Sequence, residues 1–164
     1  MIYQIILLII PVLIAVLASC LYQNKSRRML RFYDRMIAFE SFRKFYTLAL
    51  LLVLLLVNYA QYQLSPTNWI VLVLSGLSLV LFNYKWADKL LRCLKDRPKI
   101  FYIVATLNII VMFVPYLNTI TLPIACILMA AIFYPSTQIL NWTNNPEMVK
   151  QVCEQRETLA IHYF

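Results

Sequence analysis

The residues able to do acid–base, nucleophilic or metal chemistry are few here, and they are badly spaced for it. Cys20, Cys93, Cys126 and Cys153 are scattered along the chain with no C-x-x-C pair, and the single histidine, His162, stands next to the C-terminus. Zinc sites are built from closely spaced ligand pairs, so this pattern argues against a metal. Three of these cysteines fall at or beyond span ends that border the basic blocks, where thiols stay reduced, so structural disulfides are not expected either. Covalent or general acid–base catalysis needs a nucleophile with a base beside it. Apart from Lys85, no Asp, Glu, Lys, Arg or His lies inside any long apolar run. The reading is therefore no catalytic residue, no metal ligand and no cofactor, and an enzyme is not expected.

The elements that carry these residues follow from composition. The 164-residue chain is 62% hydrophobic and 13% charged, with a single glycine. A water-soluble core of that size needs a polar coat, and here the polar residues come in blocks between long apolar runs. Lipid is the natural solvent for such a pattern. The net charge of +8 sits in three places: residues 23–44, residues 85–99 and the C-terminal tail, which together hold all fifteen basic and seven acidic side chains. A sum of that size read alone suggests nucleic acid, but its placement argues for topology instead.

Five apolar segments flank the blocks, at about 2–22, 45–64, 69–86, 100–117 and 119–139. Each approaches the roughly 20 residues a helix needs to cross about 30 Å of hydrocarbon. Ser65-Pro66-Thr67-Asn68 supplies a turn between the second and third, and Pro115-Tyr116-Leu117-Asn118-Thr119 a break between the fourth and fifth. The fold class expected is all-α, a polytopic transmembrane bundle over residues 1–140 with a cytoplasmic helical tail over 141–164. Cytoplasmic loops accumulate Lys and Arg, so five spans put the N-terminus outside and every charge inside. A four-span arrangement, with residues 100–139 as one span plus a re-entrant piece, places the tail outside and ranks second. Leu17-Ala18-Ser19-Cys20 has the look of a lipoprotein processing site, but no basic stretch precedes the run and seven basic residues follow it, which favours a signal anchor. The membrane expected is a bacterial inner membrane.

Within the spans the polar residues are amides and hydroxyls. Asn58, Thr106 and Asn108 stand out, and an amide at mid-membrane must find a partner on another helix or subunit. Helix-to-helix contact is the first reading, and a ring of amides on a pore wall the second. Trp69, Trp86, Tyr62, Tyr84, Tyr102, Tyr116 and Trp142 gather at span ends as an interfacial belt. Pro11, Pro115, Pro123 and Pro135 are expected to kink or interrupt spans.

The basic loops read as amphipathic helices lying along the inner leaflet. From a cap at Asn24 or Ser26, the first puts Arg27, Arg28, Arg31 and Arg35 on one arc and Met29, Leu30, Tyr33, Met36 and Ile37 on the other, bending near Glu40-Ser41 into the second span. The second places Leu90, Leu91 and Leu94 on one side and Lys89, Arg92 and Lys95 outward, with Pro98 before the next span. In the tail, Asn145-Pro146-Glu147 opens a short helix that docks on the protein's own loops or on a partner. The partners expected are the bilayer with its anionic lipids, further copies of the chain, and a cytoplasmic protein; nucleic acid is disfavoured. The function expected is that of a non-catalytic membrane subunit anchoring or regulating a cytoplasmic partner, in a secretion, stress or phage-defence assembly. The competing class is a small oligomeric channel or membrane-disrupting effector.

Overall fold

The structure is a computed structural model that describes residues 26–64, 81–114 and 118–142, scattered positions between 9 and 21, residues 75 and 76, and Tyr163. Among the described residues it is helical, with turns and no strand. The elements are α1 (Arg27–Ala38), α2 (Glu40–Leu64), α3 (Tyr84–Asp96), α4 (Pro98–Met112), α5 (Asn118–Ile132) and the short α6 (Thr137–Trp142). The turn at 65–68, the tail helix from 145, Trp69, Tyr116, Cys153 and His162 lie outside the described residues.

Capping residues set the boundaries. Ser26 opens α1, its hydroxyl accepting from the Met29 amide at 3.4 Å. Phe39 leaves helical geometry and ends α1, one residue before the expected bend. The carbonyls exposed there, those of Met36 and Ile37, accept from one Arg43 guanidinium nitrogen at 2.9 and 3.1 Å, so the first turns of α2 close the end of α1. Asn83 caps α3 through the Lys85 amide at 3.1 Å. A new helix therefore begins at Tyr84, inside the segment expected to run as one span to 86. Pro98 occupies the first turn of α4, where its missing N–H costs nothing.

Two apolar segments are long enough to cross a membrane by length and composition, Glu40–Gln63 (24 residues) and Ile120–Trp142 (23 residues). Helix α4 is apolar but has 15 residues, about 22 Å at 1.5 Å per residue. The first and third expected spans fall mostly outside the described residues, so the structure supports two spanning segments and not a count of five.

Helix α5 is the hub: α2, α3 and α4 all pack on it. Asn108 on α4 donates to the Thr121 carbonyl on α5 at 3.2 Å, joining the end of one helix to the start of the next. At the other end of α5, Pro135 follows two residues after the helix turns. Proline offers no N–H to the Ala131 carbonyl four residues back. That carbonyl takes the Tyr134 amide at 3.2 Å instead, which strips Ala130 of its helical partner. Side chains from three other parts of the chain fill the gaps. The Tyr46 hydroxyl of α2 donates to Ala130 at 3.1 Å, the Lys95 ammonium of α3 to Ile132 at 2.8 Å, and the Tyr163 hydroxyl of the tail to Phe133 at 2.7 Å. Asp96 of α3 then receives the Thr137 amide at 3.1 Å and the Thr137 hydroxyl, starting α6.

Both amphipathic helices turn their apolar sides onto the protein. Leu30, Tyr33, Met36 and Ile37 of α1 are buried, as are Ala87 and Leu91 of α3. The expectation that these helices float on the inner leaflet by an apolar face is corrected accordingly, because that face is already covered by α2, α5 and Tyr163. Removing one cap tests the arrangement. Tyr46→Phe leaves the Ala130 carbonyl without its donor and is expected to lower stability by about 1–3 kcal/mol, read from chemical denaturation of the detergent-solubilised chain.

Candidate functional site

The basic arc of α1 forms one wall of a groove. Arg28, Arg31 and Arg35 recur at helical spacing and line a cavity of about 300 Å³ together with Phe32 and Phe42. Arg27 is exposed on the same helix, and its carbonyl accepts from the Arg31 Nε at 3.3 Å. Among the described residues none of these arginines has a carboxylate partner. The first turn of α1 holds no acidic residue, although a helix N-terminus favours anions and repels cations by a few tenths of a kcal/mol or more. A helix tuned only for stability would not open on Arg27 and Arg28.

Phe32 belongs to neither arc read from the sequence. It shares the arginine face and is half-buried, and its ring meets Phe42 at 5.8 Å, Tyr46 at 5.9 Å and Tyr33 at 5.8 Å, edge to face in each case. These contacts join the groove floor to the interior. Tyr33, wholly buried, lies against the wholly buried Tyr163 with ring centroids 4.4 Å apart. Burial pushes the Tyr33 hydroxyl up to about 12 and that of Tyr163 well above the ordinary tyrosine value.

The second basic set divides. Lys89 is exposed as expected, but Arg92 and Lys95 turn inward. Arg92 pairs with Asp88, four residues before it, and buried Asp88 also accepts the Tyr134 hydroxyl at 2.5 Å. The carboxylate thus has a cation and a hydroxyl to balance it, which a buried charge requires. Lys95 is drawn in by the open carbonyl end of α5, and loss of water pushes its ammonium down to about 8, with the Asp96 carboxylate opposing that shift. The two departures from the outward reading have different partners: Lys95 meets a carbonyl at the broken end of α5, and Arg92 balances the buried Asp88 carboxylate to which the Tyr134 hydroxyl donates.

The amides of the apolar helices serve as contacts. Asn58 donates to the Ser75 hydroxyl at 2.9 Å, and Asn108 bridges α4 to α5. Thr106 donates to its own helix at the Tyr102 carbonyl, 2.8 Å away. Among the described residues no hydrogen bond joins the three to one another. Cys20, Cys93 and Cys126 are free, and among the described residues no three His, Cys, Asp or Glu side chains gather as a metal site.

Stability against pH follows from these shifts. Lys95 has a lowered folded value, so between about 8 and its ordinary 10.5 the unfolded chain holds more protons and stability rises with pH. Tyr33 has a raised one, so its contribution is complete below 10 and is lost as pH climbs toward about 12. Lys95→Met is expected to flatten the rise and leave the alkaline fall, measured as denaturation midpoints across that range. Compared with protein families, curated proteins and solved structures, the chain matches none, and the reading of its site rests on these residues.

Proposed function

We propose that this protein is a non-catalytic integral membrane subunit that crosses the inner membrane of a bacterium five times, N-terminus outside, and anchors or regulates a cytoplasmic protein partner as part of an oligomeric complex. One observation carries the membrane reading: the exposed face of the molecule is apolar. Phe45, Leu48, Leu52 and Leu56 of α2 and Ile103, Leu107 and Ile110 of α4 are each more than half exposed. Patches of that extent are rare on soluble monomers and suit hydrocarbon. Trp86, Tyr62 and Tyr102 are likewise exposed at helix ends, where an aromatic belt would meet the lipid headgroups.

The charges support a single cytoplasmic face. Among the described residues every Lys, Arg, Asp and Glu lies on α1, on α3, or in the opening turns of α2 and α4 around Arg97. Helices α2 and α3 meet the C-terminal end of α5 through Tyr46, Lys95 and Asp96, and Arg43 ties the end of α1 to α2. A face so rich in arginine, beside helices α2 and α4 whose exposed side chains are largely apolar, is where a soluble partner would bind. Assemblies for secretion, stress response or phage defence all need such an anchor.

Mild-detergent extraction of a tagged chain is expected to bring down a soluble protein in fixed proportion, and Arg31→Glu with Arg35→Glu is expected to weaken that retention severalfold. Cation flux from the purified protein in liposomes, with no co-purifying partner, would replace this reading with that of an oligomeric channel. In intact cells a membrane-impermeant thiol reagent is expected to leave Cys93 unlabelled; labelling there refutes the orientation.

A further inference from the structure

We propose that the groove between α1 and α2 seats one anionic phospholipid, its phosphate held by Arg28, Arg31 and Arg35 and one acyl chain laid along α2. This deepens the membrane reading above and rests on it. The chemistry has two parts that meet in one place. Three guanidinium groups within two turns of α1 surround a cavity of about 300 Å³, and no carboxylate among the described residues neutralises them. Guanidinium forks match phosphate oxygens in pairs, and they are more weakly hydrated than an ammonium and so easier to bury.

The other wall is apolar and leads away from the charge. Phe42 closes the groove from α2, and Phe45, Leu52, Val53 and Leu56 lie within roughly 80° of it around the same helix at 100° per residue. All four are exposed, Phe45 by 66% and Leu56 by 59%. An anionic head with a hydrocarbon tail uses both features. Free phosphate would use only the arginines, and an acidic protein surface would have no use for the stripe that climbs into the membrane-crossing part of α2. The groove floor supports the same occupant. Phe32 is held by three aromatic neighbours, so the arginines project from a packed base and lose little freedom when they close on a ligand.

Native mass spectrometry of the full chain, released from nanodiscs of phosphatidylcholine doped with phosphatidylglycerol, tests this. The wild-type chain is expected to retain one phosphatidylglycerol in preference to phosphatidylcholine. Arg31→Gln with Arg35→Gln is expected to weaken retention roughly thirtyfold, from the surface attraction of two basic residues. Lys85→Gln with Lys99→Gln, which removes the same charge outside the groove, is expected to leave it unchanged. Arg31→Lys with Arg35→Lys keeps the charge and loses the forks, so retention drops severalfold; this pair carries the test should the Gln pair fail to fold. An equal loss in both Gln pairs, or no preference for phosphatidylglycerol, overturns the proposal. Retention unaffected by any groove variant also overturns it. Displacement by inorganic phosphate alone would show an anion site without a lipid. Recovery of the chain in the aqueous fraction without detergent would refute the membrane reading itself, and it is observed before any lipid is counted.

Discussion

The end of α5 is the point on which the remaining structure depends. A helix that stops in an apolar setting leaves its last carbonyls facing hydrocarbon or packed side chains, and each unmet carbonyl costs on the order of 1–3 kcal/mol. Pro135 forces that stop by removing one N–H. The chain answers with a tyrosine from α2, a lysine from α3 and a tyrosine near the C-terminus. Elements far apart in sequence are thereby tied to one helix end. The partial negative charge of that end also favours the cations that α3 supplies.

This constraint sorts the basic residues by role. Arg43 closes α1, Arg92 balances buried Asp88, and Lys95 meets the carbonyl of Ile132. Those three are consumed by the fold. Arg28, Arg31 and Arg35 close no other element, Arg31 bonding only the Arg27 carbonyl of its own helix, and stand around an open groove. Arg28 stands in the first turn of α1, where a cation works against the helix dipole, and a site for an external anion gives it a reason to be there. The aromatic contacts from Phe32 through Tyr33 to Tyr163 make the groove floor and the α5 cap parts of one packed body.

Much of this was legible along the chain. The separation of apolar runs from charged blocks marked the helices that became α2, α4 and α5, and the absence of ionisable groups in those runs followed from composition alone. The helical repeat of α1 placed its arginines on one arc and Leu30, Tyr33, Met36 and Ile37 on the other, and Ser26 stood where a cap belongs. These readings worked because each depends on spacing within about two turns. The number of spans was less legible, since a length criterion sees α4 as short and Pro135 divides the last apolar run.

What sequence could not assign was the partner of each polar side chain. Lys89, Arg92 and Lys95 share one helix and one charge, yet Lys95 bonds the Ile132 carbonyl at the end of α5, some forty residues away, and Arg92 pairs with Asp88, whose carboxylate packing has buried against Tyr134. Phe32 reads as an apolar residue stranded among arginines until Phe42 and Tyr46 are brought beside it. Composition and periodicity determined which segments are helical and where charge collects. Tertiary packing alone decided which charges the fold uses and which it leaves open, because that choice is made by groups that meet only when distant helices pack.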